Sequence, residues 1–201
     1  MTTENLINHI PDLALAAALA WGSGLRLYLV LFLLGMAGYL GWVPLPSHLS
    51  GLAHPAALGA SGLMSLIEFG ADKLPWLDSL WDTVHTFIRI PAGAALAAGV
   101  FGASDTTMAA AAAILGGGIA AGTHFTKAGG RAALNASPEP VSNWLASFSE
   151  DLMVPSGLWL AFAHPAVFLV ALVLFALVAV FLLRAILRGL SALLRRTRVA
   201  V

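Results

Sequence analysis

The 201-residue chain contains no cysteine. Disulfides, thiolate metal sites and a cysteine nucleophile are thereby excluded, and the redox compartment stays undecided. Charge is scarce as well: Asp, Glu, Lys and Arg make up 10% of the residues, against about 25% in soluble domains. A water-facing surface cannot be assembled from so little. Formal net charge is zero, so no overall field draws in nucleic acid or acidic partners. The start, MTTENLINHIPDL, lacks the basic region of a cleavable signal peptide, so the first apolar run is expected to be kept as a span. There is no H-E-x-x-H, G-x-S-x-G or Walker pattern.

What is present is hydrophobic. Apolar residues make up 59% of the chain, and mean hydropathy is +0.88. This predicts an all-α integral membrane protein, a polytopic transmembrane helix bundle built as one domain over 1–201. Crossing the hydrocarbon takes roughly 20 apolar residues. Six stretches qualify as spans: 13–42, 55–71, 77–103, 106–126, 141–163 and 165–183. The last, PAVFLVALVLFALVAVFLL, carries no charge. Pro91 and Pro155 lie near the middles of the third and fifth, where a lost backbone hydrogen bond predicts kinks.

Orientation follows from the basic residues. Arg184, Arg188, Arg195, Arg196 and Arg198 follow the last span, which places that end in the cytoplasm by the positive-inside rule. Six crossings put the N-terminus there too, giving a cytoplasmic segment 1–12, a bundle 13–183 and a basic tail 184–201. Loops at 72–77, with Lys73, and 127–140, with Lys127 and Arg131, fall on the same side. The outer connections 43–54 and 103–105 hold no Lys or Arg. The expected location is the cell inner membrane.

Two parts of the chain resemble each other. IRIPAGAAL (88–96) is similar to LMVPSGLWL (152–160), and each follows a polar helical face. Asp78, Asp82, His85 and Arg89 make one face; Asn143, Ser147, Glu150 and Asp151 make the other. Spacings of i, i+4 and i+7 put each set on one side of a helix. Helix pairs 55–103 and 106–163 thus read as an internal repeat of two kinked units.

Ionisable groups inside a membrane must face the bundle interior and find partners. Arg89, and with it Arg26, is expected to pair with Glu150, Asp151 or Asp82. Glu68, Asp72, His124 and Lys127 are expected to lie shallower, at a mouth. The set Arg26, Glu68, Asp72, Asp78, Asp82, His85, Arg89, His124, Lys127, Glu150 and Asp151 then lines a cytoplasm-facing polar pocket, closed on the far side by Ala- and Gly-rich helices. Gly116, Gly117, Gly118 and Gly122 read as close-contact positions between helices rather than a phosphate loop. Trp42, Trp76 and Trp159 read as interfacial or packing aromatics. His54-Pro55 and His164-Pro165 read as helix starts. Ser137-Pro138-Glu139-Pro140 reads as a loop ending at one, with Glu139 capping it or lining the pocket mouth.

The order of these pieces is that of a known family. GLRLYLVLFLLGMAGYLGW, EFGADKLPWLDSLWDTVHTFIRIPAGA, the glycine-containing helix and NASPEPVSNWLASFSEDL together resemble a bacterial membrane family catalogued as domain of unknown function 4126. The likeness spans nearly the whole chain. It implies a single module and supplies no catalytic or binding residues.

Three functions fit the residues. A transporter or channel for a small ion or solute would use the carboxylates and histidines as binding or proton-relay groups. A membrane enzyme or lipid-phosphate handler at the inner leaflet would use His85 and His124 for acid–base work, with Lys73, Lys127, Arg131 and Arg89 holding phosphate. A scaffold subunit would use its small-residue helices to bind another membrane protein. The first is preferred, and a purely structural role for the ion pairs stands against it. The preferred reading calls for no cofactor, leaves any metal open, and takes as partners the bilayer and the carried ion or solute, with self-association left open.

Overall fold

A computed structural model describes residues 8–135 and 140–199. Every regular element among them is helical. Helix α1 spans Ile10–Tyr39, α2 Pro55–Ala71, α3 Pro75–Phe101, α4 Thr106–Asn135, α5 Pro140–Ala163 and α6 Pro165–Val199; a short 3-10 segment covers Ser47–Ala53. Proline begins α2, α3, α5 and α6, where its missing N–H costs nothing and its fixed φ suits the first helical position. The His54 ring accepts the Ala56 N–H at 3.2 Å and caps α2. The loop expected at Ser137, Pro138 and Glu139 lies outside the described residues, as do residues 1–7.

Four helices are long and apolar enough to cross a membrane: Ile10–Tyr39, Trp76–Phe101, Thr106–Leu134 and Pro165–Ala185, among the described residues. Helix α2, at 17 residues, and α5, with its polar first half, fall short of that standard by length and composition.

Helix α1 is the centre of the bundle and touches each of the other five. Two thirds of its most apolar window is buried, against 6% for α6. Lipid is as apolar as leucine, so helices associate in it through close packing rather than through a hydrophobic drive. Here that closeness comes from small residues. A Cβ on Gly24 would sit 2.5 Å from the Ala120 carbonyl, and one on Gly93 2.6 Å from the Ser23 hydroxyl oxygen. Gly116 is likewise tight against Ala97. Gly117 meets only an ordinary contact, and Gly118 and Gly122 meet nothing within 4 Å; the last two border an apolar groove between α4 and α6. The close-contact reading therefore holds for Gly116 and not for Gly118 or Gly122. Trp42, Trp76 and Trp159 are exposed, as aromatics at a membrane interface or against lipid are.

One expectation is overturned, the loop from Lys127, and several other features were not anticipated. Helices α3 and α5 continue on both sides of Pro91 and Pro155, whereas the backbone leaves helical geometry at Arg26 in α1 (φ −144°, ψ 76°). Helix α4 runs on to Asn135, so Lys127 and Arg131 are helical and buried rather than in a loop. The physical reason is that both cations have carboxylate partners inside the bundle. Helix α6 likewise continues through the basic stretch to Val199. The two repeat units are unequal: α2 and α3 have 17 and 27 residues, α4 and α5 have 30 and 24. Lys73, which follows Phe69 by four residues, and Lys127, which follows Phe125 by two, differ in setting, one half-buried and the other buried.

Candidate functional site: a buried charge network at the break in the first helix

Asp72 is the hub. It caps the C-terminus of α2, a position where the helix macrodipole opposes a negative charge. Three cations outweigh that opposition. Arg26 Nη1 lies 2.9 Å from its Oδ2, Lys127 Nζ 3.0 Å and Arg131 Nη2 3.8 Å. Its backbone carbonyl accepts from Arg131 Nη1, Asn143 Nδ2 and Ser147 Oγ at 3.2, 3.3 and 3.2 Å. The short link between α2 and α3 is thereby tied to α1, α4 and α5.

Each cation spans elements. Arg26 also pairs with Asp151 at 3.0 Å and Glu150 at 3.7 Å and donates to the Ser147 carbonyl at 3.3 Å. Lys127 reaches Glu150 at 3.1 Å and Asp82 at 3.8 Å and donates to the Leu25 carbonyl at 3.1 Å. Arg131 donates to Glu150 Oε1, Asn143 Oδ1 and Ser147 Oγ. Arg89 donates to Glu68 at 2.6 Å and Asp82 at 2.7 Å. Ions taken out of water cost several kcal/mol each, a penalty met here by multiple short contacts.

The histidine states follow from donor logic. A guanidinium has no acceptor, so Arg89 Nη1, 3.2 Å from His124 Nδ1, must donate to it. His124 is then neutral with its proton on Nε2, which donates to Thr86 Oγ1 at 2.7 Å; the Thr86 hydroxyl donates onward to the Asp82 carbonyl. His85 Nδ1 faces the Trp81 carbonyl at 2.8 Å and therefore donates, leaving Nε2 facing the Tyr28 hydroxyl at 3.2 Å. The His85 ring stacks on Trp81 with centroids 4.1 Å apart.

Ten of the eleven expected site residues are buried, and Asp151 is half-buried. Glu68, Asp72, His124 and Lys127, expected at a mouth, are instead among the most buried groups. Arg26 pairs with Asp151 and Glu150 as expected; Arg89 takes Asp82 and, in place of the α5 carboxylates, Glu68. Asp78 belongs to the set by burial alone: neither carboxylate oxygen has a hydrogen-bond partner. Arg131, Asn143, Ser147, Thr86 and Tyr28 were not in the expected set. Arg131 was signalled by its i+4 spacing from Lys127, and Asn143 and Ser147 by sharing a face with Glu150; Thr86 and Tyr28 had no such signal.

The expected pocket is largely filled by its own ion pairs. A cavity of about 210 Å³ remains between α3 and α4, lined by Ser79, Asp82, Thr83, Thr86, His124 and Arg131 among others, with room for water and polar partners for it. It opens past the exposed Thr83 and Phe125. No group of three or more His, Asp or Glu arranged to hold a metal ion occurs among the described residues. A phosphate would have to compete for donors already engaged: both Arg131 Nη atoms and its Nε serve protein acceptors, and Lys73 donates to the Phe69 carbonyl and lies over the Phe69 ring.

A family model described as a domain of unknown function (DUF4126) matches residues 13–185, which include every residue of this network. The chain belongs to that family. DUF4126 thus comprises, in this chain, a membrane-embedded helical protein whose apolar helices meet lipid and whose buried charges gather around one helix break. No curated protein and no solved structure matches the chain.

Proposed function

We propose that the protein is a transporter or channel for a small ion or solute, with all six α helices crossing the cell inner membrane and both termini in the cytoplasm. The observation that carries this reading is the break of α1 at Arg26, midway along the central helix, inside a network drawn from five helices and the α2–α3 link. At about 1.5 Å per residue, Arg26 stands about 24 Å from one end of α1 and about 20 Å from the other. Interrupted helices whose freed backbone groups meet ionic side chains near the bilayer midplane are the recurrent architecture of ion and solute sites in transporters. Ionisable groups at that depth are costly and mark pathways, and apolar packing would hold the helices together at less cost.

In the proposed orientation the cavity between α3 and α4 lies toward the cytoplasmic side and leads to Asp82 and His124. The test is flux in liposomes reconstituted with the purified protein, over a panel of protons, alkali cations, halides and small organic anions. Wild type should carry at least one; Asp82→Asn and Glu150→Gln should abolish that flux while still eluting as folded protein. Flux indifferent to both substitutions, or none across the panel, would sink the proposal.

A further inference from the structure

The buried network is unbalanced. Six carboxylates, Glu68, Asp72, Asp78, Asp82, Glu150 and Asp151, share it with four cations, Arg26, Arg89, Lys127 and Arg131. Lys73, half-buried just past the end of α2 and held by the Phe69 carbonyl, makes no ion pair with these carboxylates but brings a fifth positive charge to the region. One negative charge is left over. His124 is neutral by its hydrogen bonds, because the Arg89 guanidinium can only donate to it, and His85 pairs with no carboxylate among the described residues: its ring nitrogens face the Trp81 carbonyl and the Tyr28 hydroxyl. An uncompensated charge at this depth is heavily penalised, and such a group takes up a proton instead.

The geometry singles out one carboxylate for that proton. Glu68, Asp72, Asp82, Glu150 and Asp151 each touch a cation within 3.1 Å. Asp78 touches none: it is fully buried, and both oxygens lack a hydrogen-bond partner. The charged groups that act on it most strongly are Arg131 and Lys127 on α4, Asp72 at the end of α2 and Asp82 on its own helix. Each of those two cations is committed to Asp72 and Glu150. Asp78 lies one turn from Asp82 and beside Ser79, both of which line the cavity between α3 and α4.

We infer that Asp78 is a proton-binding site: it is held as the neutral acid in this arrangement and exchanges its proton with water in the cavity between α3 and α4. With Asp78 protonated, the five remaining carboxylates are matched in charge by the four network cations and Lys73. Release breaks the O–H bond, leaves the electron pair on the carboxylate and passes the proton to water. If the transport reading of the same network holds, the proton is the carried or coupling ion; the site itself stands on charge balance and geometry alone.

The test is infrared spectroscopy of the full chain purified in detergent, in H₂O and D₂O, reading the carbonyl stretch of a protonated carboxyl group. Wild type at neutral pH should show the band, shifted by deuteration and lost on raising the pH; Asp78→Asn should lose it. Asn mimics the neutral acid, so that variant should also keep the thermal unfolding midpoint of wild type. Absence of the band in wild type overturns the inference, as does its survival in Asp78→Asn. So does failure of Asp78→Asn to fold, because a neutral isostere would then not replace the group. A band present without liposome flux would sink the transport reading alone, and flux without the band would sink this one alone.

Discussion

Lys127 donates from Nζ to the backbone carbonyl of Leu25 at 3.1 Å, one residue before α1 leaves helical geometry. In an unbroken helix that carbonyl would accept only from the N–H four residues on. Here a side chain from α4 serves it while also holding Asp72 and Glu150 at 3.0 and 3.1 Å. The helix break and the charge network are one construction, because the cation that neutralises the carboxylates also serves the interrupted backbone.

Lys127→Met keeps most of the side-chain volume and removes the charge. It leaves the Leu25 carbonyl and two buried carboxylates short of a donor. Removing one partner of a buried pair costs about 3–5 kcal/mol, so the thermal unfolding midpoint in detergent should fall steeply. An unchanged midpoint would mean that the lysine is dispensable to the break.

Arg89 and Glu68 form a second buried pair, 2.6 Å apart. Arg89→Met and Glu68→Gln should each destabilise, and the double variant should lose less than the two together. A double-mutant cycle should return a coupling of about 0.5–3 kcal/mol. Simple additivity would count against direct pairing.

The glycines divide by environment. Gly24→Ala drives a methyl against the Ala120 backbone carbonyl and the Thr123 Cβ, 2.5 and 2.8 Å away, and should cost about 1–3 kcal/mol as overpacking. Gly118→Ala and Gly122→Ala enter open space and should stay within about 0.5 kcal/mol of wild type. Equal effects at all three would refute the close approach of α1 to α4.

Arg26→Lys keeps a positive charge but loses the planar fork that reaches Asp72 and Asp151 at once. The variant should fold and lose most of the flux measured for wild type. Full flux in liposomes would show that the charge, and not its bidentate geometry, is what counts.

The absence of cysteine makes the topology directly testable. Single cysteines at Ser50 and Ser104 should react with an impermeant thiol reagent from outside intact cells. One at Arg184 should react only after permeabilisation. Any other pattern would overturn the six-crossing arrangement.

Much of this was legible beforehand, and the misses have a common cause. Pro55 and Pro165 marked helix starts, because the constraint is local to one residue. The charged set was recognisable because ionisable residues are rare in this chain. Lys127 and Arg131 were misplaced into a loop because Gly129 and Gly130 follow an apolar run and weaken a helix; the carboxylates that hold the helix together there lie far away in sequence. Pro91 and Pro155 marked expected kinks, and their helices continue through both; the break itself falls at Arg26, where a neighbouring Gly22-Ser23-Gly24 only permitted it.

Composition by itself settled the solvent: a chain this apolar belongs in lipid, because transfer energies accumulate residue by residue whatever the fold. It also settled that any charged group inside would need company. Who keeps that company was decided only in three dimensions. Arg26 meets Asp72 and Asp151, Lys127 meets the Leu25 carbonyl 102 positions away, and Asp78 is left without a partner. Coulomb attraction acts through space and falls with distance, and distance between remote residues is a property of the packed bundle, not of the string.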